Sequence, residues 1–86
     1  MIELNYNGHS IRVNEAASLT GKELVYYDGQ LVSEKTAPLG TTHLFTQFED
    51  GERVQYEVEN GANPARFFLR PYTIIRRNGK IIFSNK

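Results

Sequence analysis

The residues best suited to chemistry lie towards the C-terminal end of the sequence. The segment ARFFLRPYTIIRRNGK interleaves Arg66, Arg70, Arg76, Arg77 and Lys80 with Phe67, Phe68 and Tyr72. Basic groups beside aromatic rings on a β-surface are what single-stranded nucleic acid needs: cations for its phosphates and flat faces for its bases. Strand parity limits the set, because Arg76 and Arg77 point to opposite faces of a regular strand. Arg70 and Arg76 share a face, with Tyr72 and Ile74 between them, provided Pro71 leaves the register intact. Arg77 and Lys80 frame the last turn. The candidate binding set is therefore Arg70, Tyr72, Arg76, Arg77 and Lys80. A competing account needs no ligand. Residues 52–59 carry Glu52, Glu57 and Glu59, and antiparallel pairing with residues 66–77 sets acids opposite bases. Each such pair contributes about 0.2–1 kcal/mol and helps to fix register.

Other chemistry is sparse. The two histidines, His9 and His43, are far apart in sequence and read as ordinary strand-end residues. Without cysteine there is no thiolate for a metal. No metal and no cofactor is expected. Ser10, Ser18, Ser33 and Ser84 lack a nucleophile-elbow context. Glu49-Asp50 and the pair Glu57 and Glu59 supply neighbouring carboxylates, but a hydrolase wants two of them across a cleft. There is no P-loop and no Gly-x-Gly-x-x-Gly. The expectation is that the chain is not an enzyme.

The chain has 86 residues and a formal net charge of zero. The charges are unevenly laid out. Residues 1–60 hold four bases and all ten acids, a net of −6, and residues 61–86 hold six bases and no acid, a net of +6. Overall neutrality argues against a dedicated nucleic-acid binder, which carries a marked excess of base. The absence of cysteine rules out a disulfide framework and favours a reducing setting. The opening MIELNYNGHS lacks the pattern of a signal peptide, and no apolar run approaches a membrane span. A cytoplasmic location with no membrane contact is expected.

The elements that must position these residues are strands. Asn7-Gly8, Asp28-Gly29, Asp50-Gly51 and Asn78-Gly79 each sit between apolar segments. A two-residue type I′ turn needs positive φ at both central residues, which Asn or Asp tolerates and Gly adopts freely. Ile2, Leu4 and Tyr6 alternate, as do Ile11 and Val13. Leu24 and Tyr26 face one way, Val25 and Tyr27 the other. Leu44 and Phe48 oppose Phe45, and Val54, Tyr56 and Val58 form the cleanest period-2 stripe. The one helical candidate is VNEAASLTGK, residues 13–22, where Gly21 would end a single turn. TAPLGTT and NGANPA read as loops. The prediction is a single all-β domain, residues 1–86. Its antiparallel meander of hairpins forms a small β-sandwich or flattened barrel of about eight strands. The recurring hairpins are read as shared turn chemistry and not as a solenoid.

The segment GKELVYYDGQLVSEK, residues 21–35, resembles the Fas apoptotic inhibitory molecule family. Gly21, Lys22, Val25, Tyr26, Asp28 and Gly29 match a Gly-Lys, Val-Tyr, Asp-Gly pattern in that family's N-terminal domain. VQYEVENG is similar to a family strand, and RRNGKIIFS to its closing hairpin. The resemblance spans roughly residues 9–84. It implies a compact β-sandwich without catalysis, working through protein contacts, in a family linked to resistance to apoptosis and to protection against protein aggregation. Those proteins have two such domains, and this sequence has one.

A meander also leaves edge strands, whose unpaired N–H and C=O groups accept another strand. MIELNY and KIIFSNK are the edges expected here, with Phe67 or Phe68 as further contact surface. The expected function is a non-enzymatic protein-interaction module, acting on a protein partner or by self-association through an edge strand. The alternative is a weak single-stranded nucleic-acid or polyanion binder using the basic C-terminal hairpin.

Overall fold

The computed structural model describes residues 1–14, 22–36, 40–63 and 70–86. Eight strands follow in order: β1 (Ile2–Tyr6), β2 (His9–Asn14), β3 (Lys22–Tyr27), β4 (Gln30–Thr36), β5 (Gly40–Glu49), β6 (Glu52–Asn63), β7 (Arg70–Arg77) and β8 (Lys80–Ser84). They form two four-stranded antiparallel sheets, β1-β2-β3-β4 and β5-β6-β7-β8, which pack face to face as a sandwich. The candidate helical turn lies mostly in residues 15–21, outside the described residues. Its first two residues belong to β2, and Lys22 opens β3.

All four expected turns form. Asn7, Asp28, Asp50 and Asn78 have φ of 49° to 53°, and the glycine after each is also positive, as type I′ requires. The Asx side chain does further work at two of them. Asp28 Oδ1 accepts the Ser10 amide at 2.8 Å, and Asn78 Oδ1 accepts the Gln55 amide at 2.9 Å. Each turn is thereby tied back to the strand on its far side. Three residues beyond Gly29 and Gly79 the pairing slips by one, at Val32 and Ile82. Such a bulge turns two consecutive side chains towards the same face. The sheets therefore repeat one plan, down to the bulge. The recurrence of hairpins is a structural repeat and goes beyond turn chemistry.

The core lies between the sheets. Ile11, Val13, Val25 and Tyr27 from one sheet meet Val54, Tyr56, Val58 and Ile75 from the other. Ile2, Leu4, Val32, Phe45, Ile82 and Phe83 pack around them, half-buried. The Ile11-Val13 and Val54-Tyr56-Val58 stripes of the sequence face inward, and in β3 it is Val25 and Tyr27 that turn to the core.

Two expectations need correcting. TAPLGTT and NGANPA are not wholly loops: β5 starts at Gly40 and β6 runs to Asn63, with Gly40 opposite Gly61. Two facing glycines let the backbones approach closely, since a Cβ on Gly40 would lie 2.3 Å from the Asn60 carbonyl oxygen. The Tyr72 ring then covers Gly61, supplying the side chain that glycine lacks. Pro71 leaves the β6–β7 register intact and pairs with Ala62. Thr73 turns its N–H and C=O towards Asn85. By parity the Pro71 nitrogen faces the same way, past the end of β8, so no ladder bond is lost. Finally, splitting the meander into two sheets gives four edge strands in place of two: β1, β4, β5 and β8.

Candidate functional site

The basic hairpin is built from β7 and β8, and two of its bases, Arg76 and Arg77, are held by carboxylates. Arg76 lies opposite Glu57 on β6. Its Nη1 donates to Glu57 Oε2 at 2.5 Å and to Glu59 Oε1 at 3.0 Å. Tyr72 shares that outer face and donates to Glu59 Oε2 at 3.0 Å. Arg76 and then Tyr72 hold the Glu59 carboxyl below the usual carboxylate range. Glu52, by contrast, pairs with Glu49 across the β5–β6 turn and meets no base on β7. Arg70 opens β7 opposite Asn63, and Lys80 is exposed opposite Arg77. Phe67, Phe68 and Arg66 lie outside the described residues.

Arg77 points the other way, into the sandwich. Its Nη2 donates to Glu49 Oε1 at 2.8 Å, and its guanidinium carbon sits 5.6 Å from the Tyr6 ring centre. Tyr27 donates to Glu49 Oε2 at 2.5 Å, and Tyr56 donates to the same oxygen. Burial opposes ionisation of Glu49, but three donors and the Arg77 charge outweigh it and leave its carboxyl below the usual range. Burial, with Glu49 next, pushes the Tyr56 phenol up to about 12. Tyr27 is raised for the same two reasons. The cluster gathers β3, β5, β6 and β7 at the end of the sandwich that carries the four turns. His9 stacks on Tyr27 and bonds Asp28 Oδ2 at 2.8 Å.

A second polar cluster lies nearer the opposite end. His43 is wholly buried, in the interior of β5 and not at a strand end. Its Nε2 lies 3.0 Å from Glu23 Oε1 and its Nδ1 2.6 Å from Ser33 Oγ. Asn60 Nδ2 also donates to Glu23 Oε1, and Thr73 Oγ1 donates to Asn60 Oδ1. A Ser-His-Glu order is the order of an acyl-transfer triad. Here the chain runs inward from β4 through two fully buried groups and ends on Thr73 of β7. It cross-links the sheets, and the buried His and Glu satisfy each other.

Among the described residues, what remains free are backbone edges. Three of them are guarded in ways natural sheets use against stray pairing. β1 carries Glu3, which reaches Arg12; β4 carries Glu34, Lys35 and a bulge; β8 carries Lys80 and a bulge. β5 differs. Its ten residues, GTTHLFTQFE, hold no proline, no lysine and no bulge, and its one acid is buried. Its outer face presents Leu44, 57 % exposed, and Phe48, 74 % exposed, with Thr46 between them.

The edge groups of β5 can be assigned. In a two-residue hairpin the turn hydrogen bond joins the flanking residues, here Glu49 and Glu52. Odd-numbered residues of β5 therefore bond to β6, and residues 42, 44, 46 and 48 direct their N–H and C=O to the open edge. Independently, the Thr42 carbonyl accepts Lys35 Nζ at 2.8 Å from β4. Lys35 thus caps the Gly40 end and leaves Leu44, Thr46 and Phe48 with open backbone groups. The sequence reading missed this edge because it placed edges only at the chain ends. The sequence carries no signal for the break, since residues 15–21 and 37–39 both lack an Asx-Gly pair, yet β2 pairs with β3 and β4 does not pair with β5. No protein-family model, curated protein or solved structure matches the chain.

Proposed function

We propose that this protein is a non-enzymatic interaction module that binds an extended segment of protein by strand addition to β5. The observation that carries this is the uncharged edge from Leu44 to Phe48, with two large exposed apolar side chains and three pairs of open backbone groups. Main-chain bonds supply affinity in this mode, and alternate side chains supply selectivity. The resemblance to the Fas apoptotic inhibitory molecule family, with its contact-based role, points the same way. A cytoplasmic setting fits a chain without cysteine. Among the described residues no helix is long and apolar enough to cross a membrane.

The polyanion reading is weaker. Arg76 would have to leave two carboxylates, and Arg77 a buried one, to reach a phosphate. The test is a backbone-amide NMR titration with a panel of short peptides of alternating apolar and polar residues, beside a mixed-sequence single-stranded oligonucleotide. Strand addition predicts peptide-induced shifts at Leu44, Thr46 and Phe48 that hardly respond to salt. Salt-sensitive shifts at Arg76 to Lys80 with the oligonucleotide, and none with any peptide, would overturn it.

A further inference from the structure

We infer that the strand added to β5 is the β5 of a second copy of this chain, antiparallel, with Thr46 on the twofold axis. The inference rests on the strand-addition reading above and names its partner.

The β5 edge is complementary to itself. In a twofold interface each residue near the axis meets its own copy or a near neighbour. A charge there faces a like charge, which is destabilising. β1, β4 and β8 carry Glu3, Glu34 with Lys35, and Lys80 respectively. Among the described edges only β5 has a neutral stretch that presents two exposed large apolar side chains, Leu44 and Phe48, two positions to either side of Thr46.

Register follows from the open groups. Lys35 occupies the Thr42 carbonyl, so pairing is confined to Leu44 through Phe48. The antiparallel register that uses this stretch fully sets Thr46 against Thr46, Leu44 against Phe48 and Phe48 against Leu44. All three pairs are then of the kind that exchanges both backbone bonds. The two threonines are placed for a cross-strand hydroxyl contact, and each Leu44 packs beside a Phe48, covering the two exposed large apolar side chains of the strand. Within each copy Phe48 already lies beside Arg53 and Leu44 beside Glu57. Each apolar pair is therefore flanked by an arginine on one side and a glutamate on the other, a polar rim around a dry seam. The product is one continuous eight-stranded sheet, β8-β7-β6-β5 joined to its twofold mate. One strand pair is a small interface, so association of roughly micromolar to millimolar strength is expected.

The test is analytical ultracentrifugation over a wide concentration range, together with directed cross-linking. The chain has no cysteine, so introduced thiols report cleanly. Wild type is expected to move from one chain mass to two as concentration rises. Thr46→Lys and Thr46→Glu, both on an exposed position, should each stay monomeric, and an equimolar mixture of the two should regain the dimer. Thr46→Cys should oxidise to a disulfide-linked dimer, because a hydrogen-bonded pair holds its Cα atoms about 5.5 Å apart. Leu44→Cys alone should not cross-link, but a mixture of Leu44→Cys with Phe48→Cys should. A wild type that stays monomeric throughout, or a dimer that survives Thr46→Lys, overturns the inference. If the monomeric protein nevertheless shows peptide-induced shifts at Leu44, Thr46 and Phe48, the edge takes a different chain and the interaction reading stands. If no peptide shifts them either, both readings fail.

Discussion

At the scale of single residues, Glu49 gathers the most side-chain donors among the described residues. One buried carboxylate receives Tyr27, Tyr56 and Arg77 from three strands. Glu49→Gln leaves the largely enclosed Arg77 guanidinium without a counter-charge and should cost about 3 kcal/mol in urea unfolding. The acid limb of the stability curve follows from the same contacts. Glu49 is held below its ordinary value only in the folded state. Its contribution is thus present above the unfolded value and lost as pH falls through the folded one. His9 behaves oppositely. Its bond to Asp28 raises it above 6.5, so its contribution is full below that value and lost as pH rises through the raised one. Asp28→Asn should return the His9 NMR titration towards 6.5. It should keep the turn, because Asn78 makes the same backbone bond in the other sheet. Parity in the sequence separates Tyr26 from Tyr27 but does not say which faces inward. Tyr27 does, because its hydroxyl finds Glu49, a partner 22 residues away that no local pattern announces.

At the scale of elements, the β5–β6 pair depends on its glycines. Gly40 has φ of +104°, and a Cβ there would strike the Asn60 backbone. Gly40→Ala should lower stability by about 2–4 kcal/mol, read from the urea midpoint. Gly61→Ala meets only the far end of the Tyr72 ring, which can swing away. It should cost about 1 kcal/mol, the worth of the lost Tyr72–Glu59 hydrogen bond. The Tyr72 phenol, raised by Glu59, should then titrate closer to 10.0. Strand existence was legible because Asx-Gly turns and period-2 stripes agree. The ends of β5 and β6 were not, because glycine, asparagine and threonine in TAPLGTT and NGANPA are loop formers until two glycines are set face to face. The charge layout was legible as register for Glu57, Glu59 and Arg76. Arg77 broke that pattern by turning inward, as its odd position in β7 requires.

At the scale of the whole molecule, two sheets of the same plan share one core and are stitched by polar clusters near either end. The Glu23–His43 pair is the more deeply buried stitch. Glu23→Leu alone should cost about 3–5 kcal/mol, because it strands His43 and Asn60, whereas Glu23→Leu with His43→Leu should recover most of that loss. Unfolding of the single and double variants in urea measures the difference. An all-β sandwich was readable from hairpins, but the position of the sheet break was not, since residues 15–21, 37–39 and 64–69 all lack an Asx-Gly pair. That break exposes β5, and with it the edge on which the functional account rests. The most direct test is amide hydrogen exchange of Leu44, Thr46 and Phe48, in dilute and in concentrated protein and with a strand-forming peptide. The account predicts fast exchange at these three amides in the dilute, free protein and protection when concentration rises or peptide is added, while their odd-numbered neighbours stay protected throughout. Equal exchange at the three amides under every condition would contradict it.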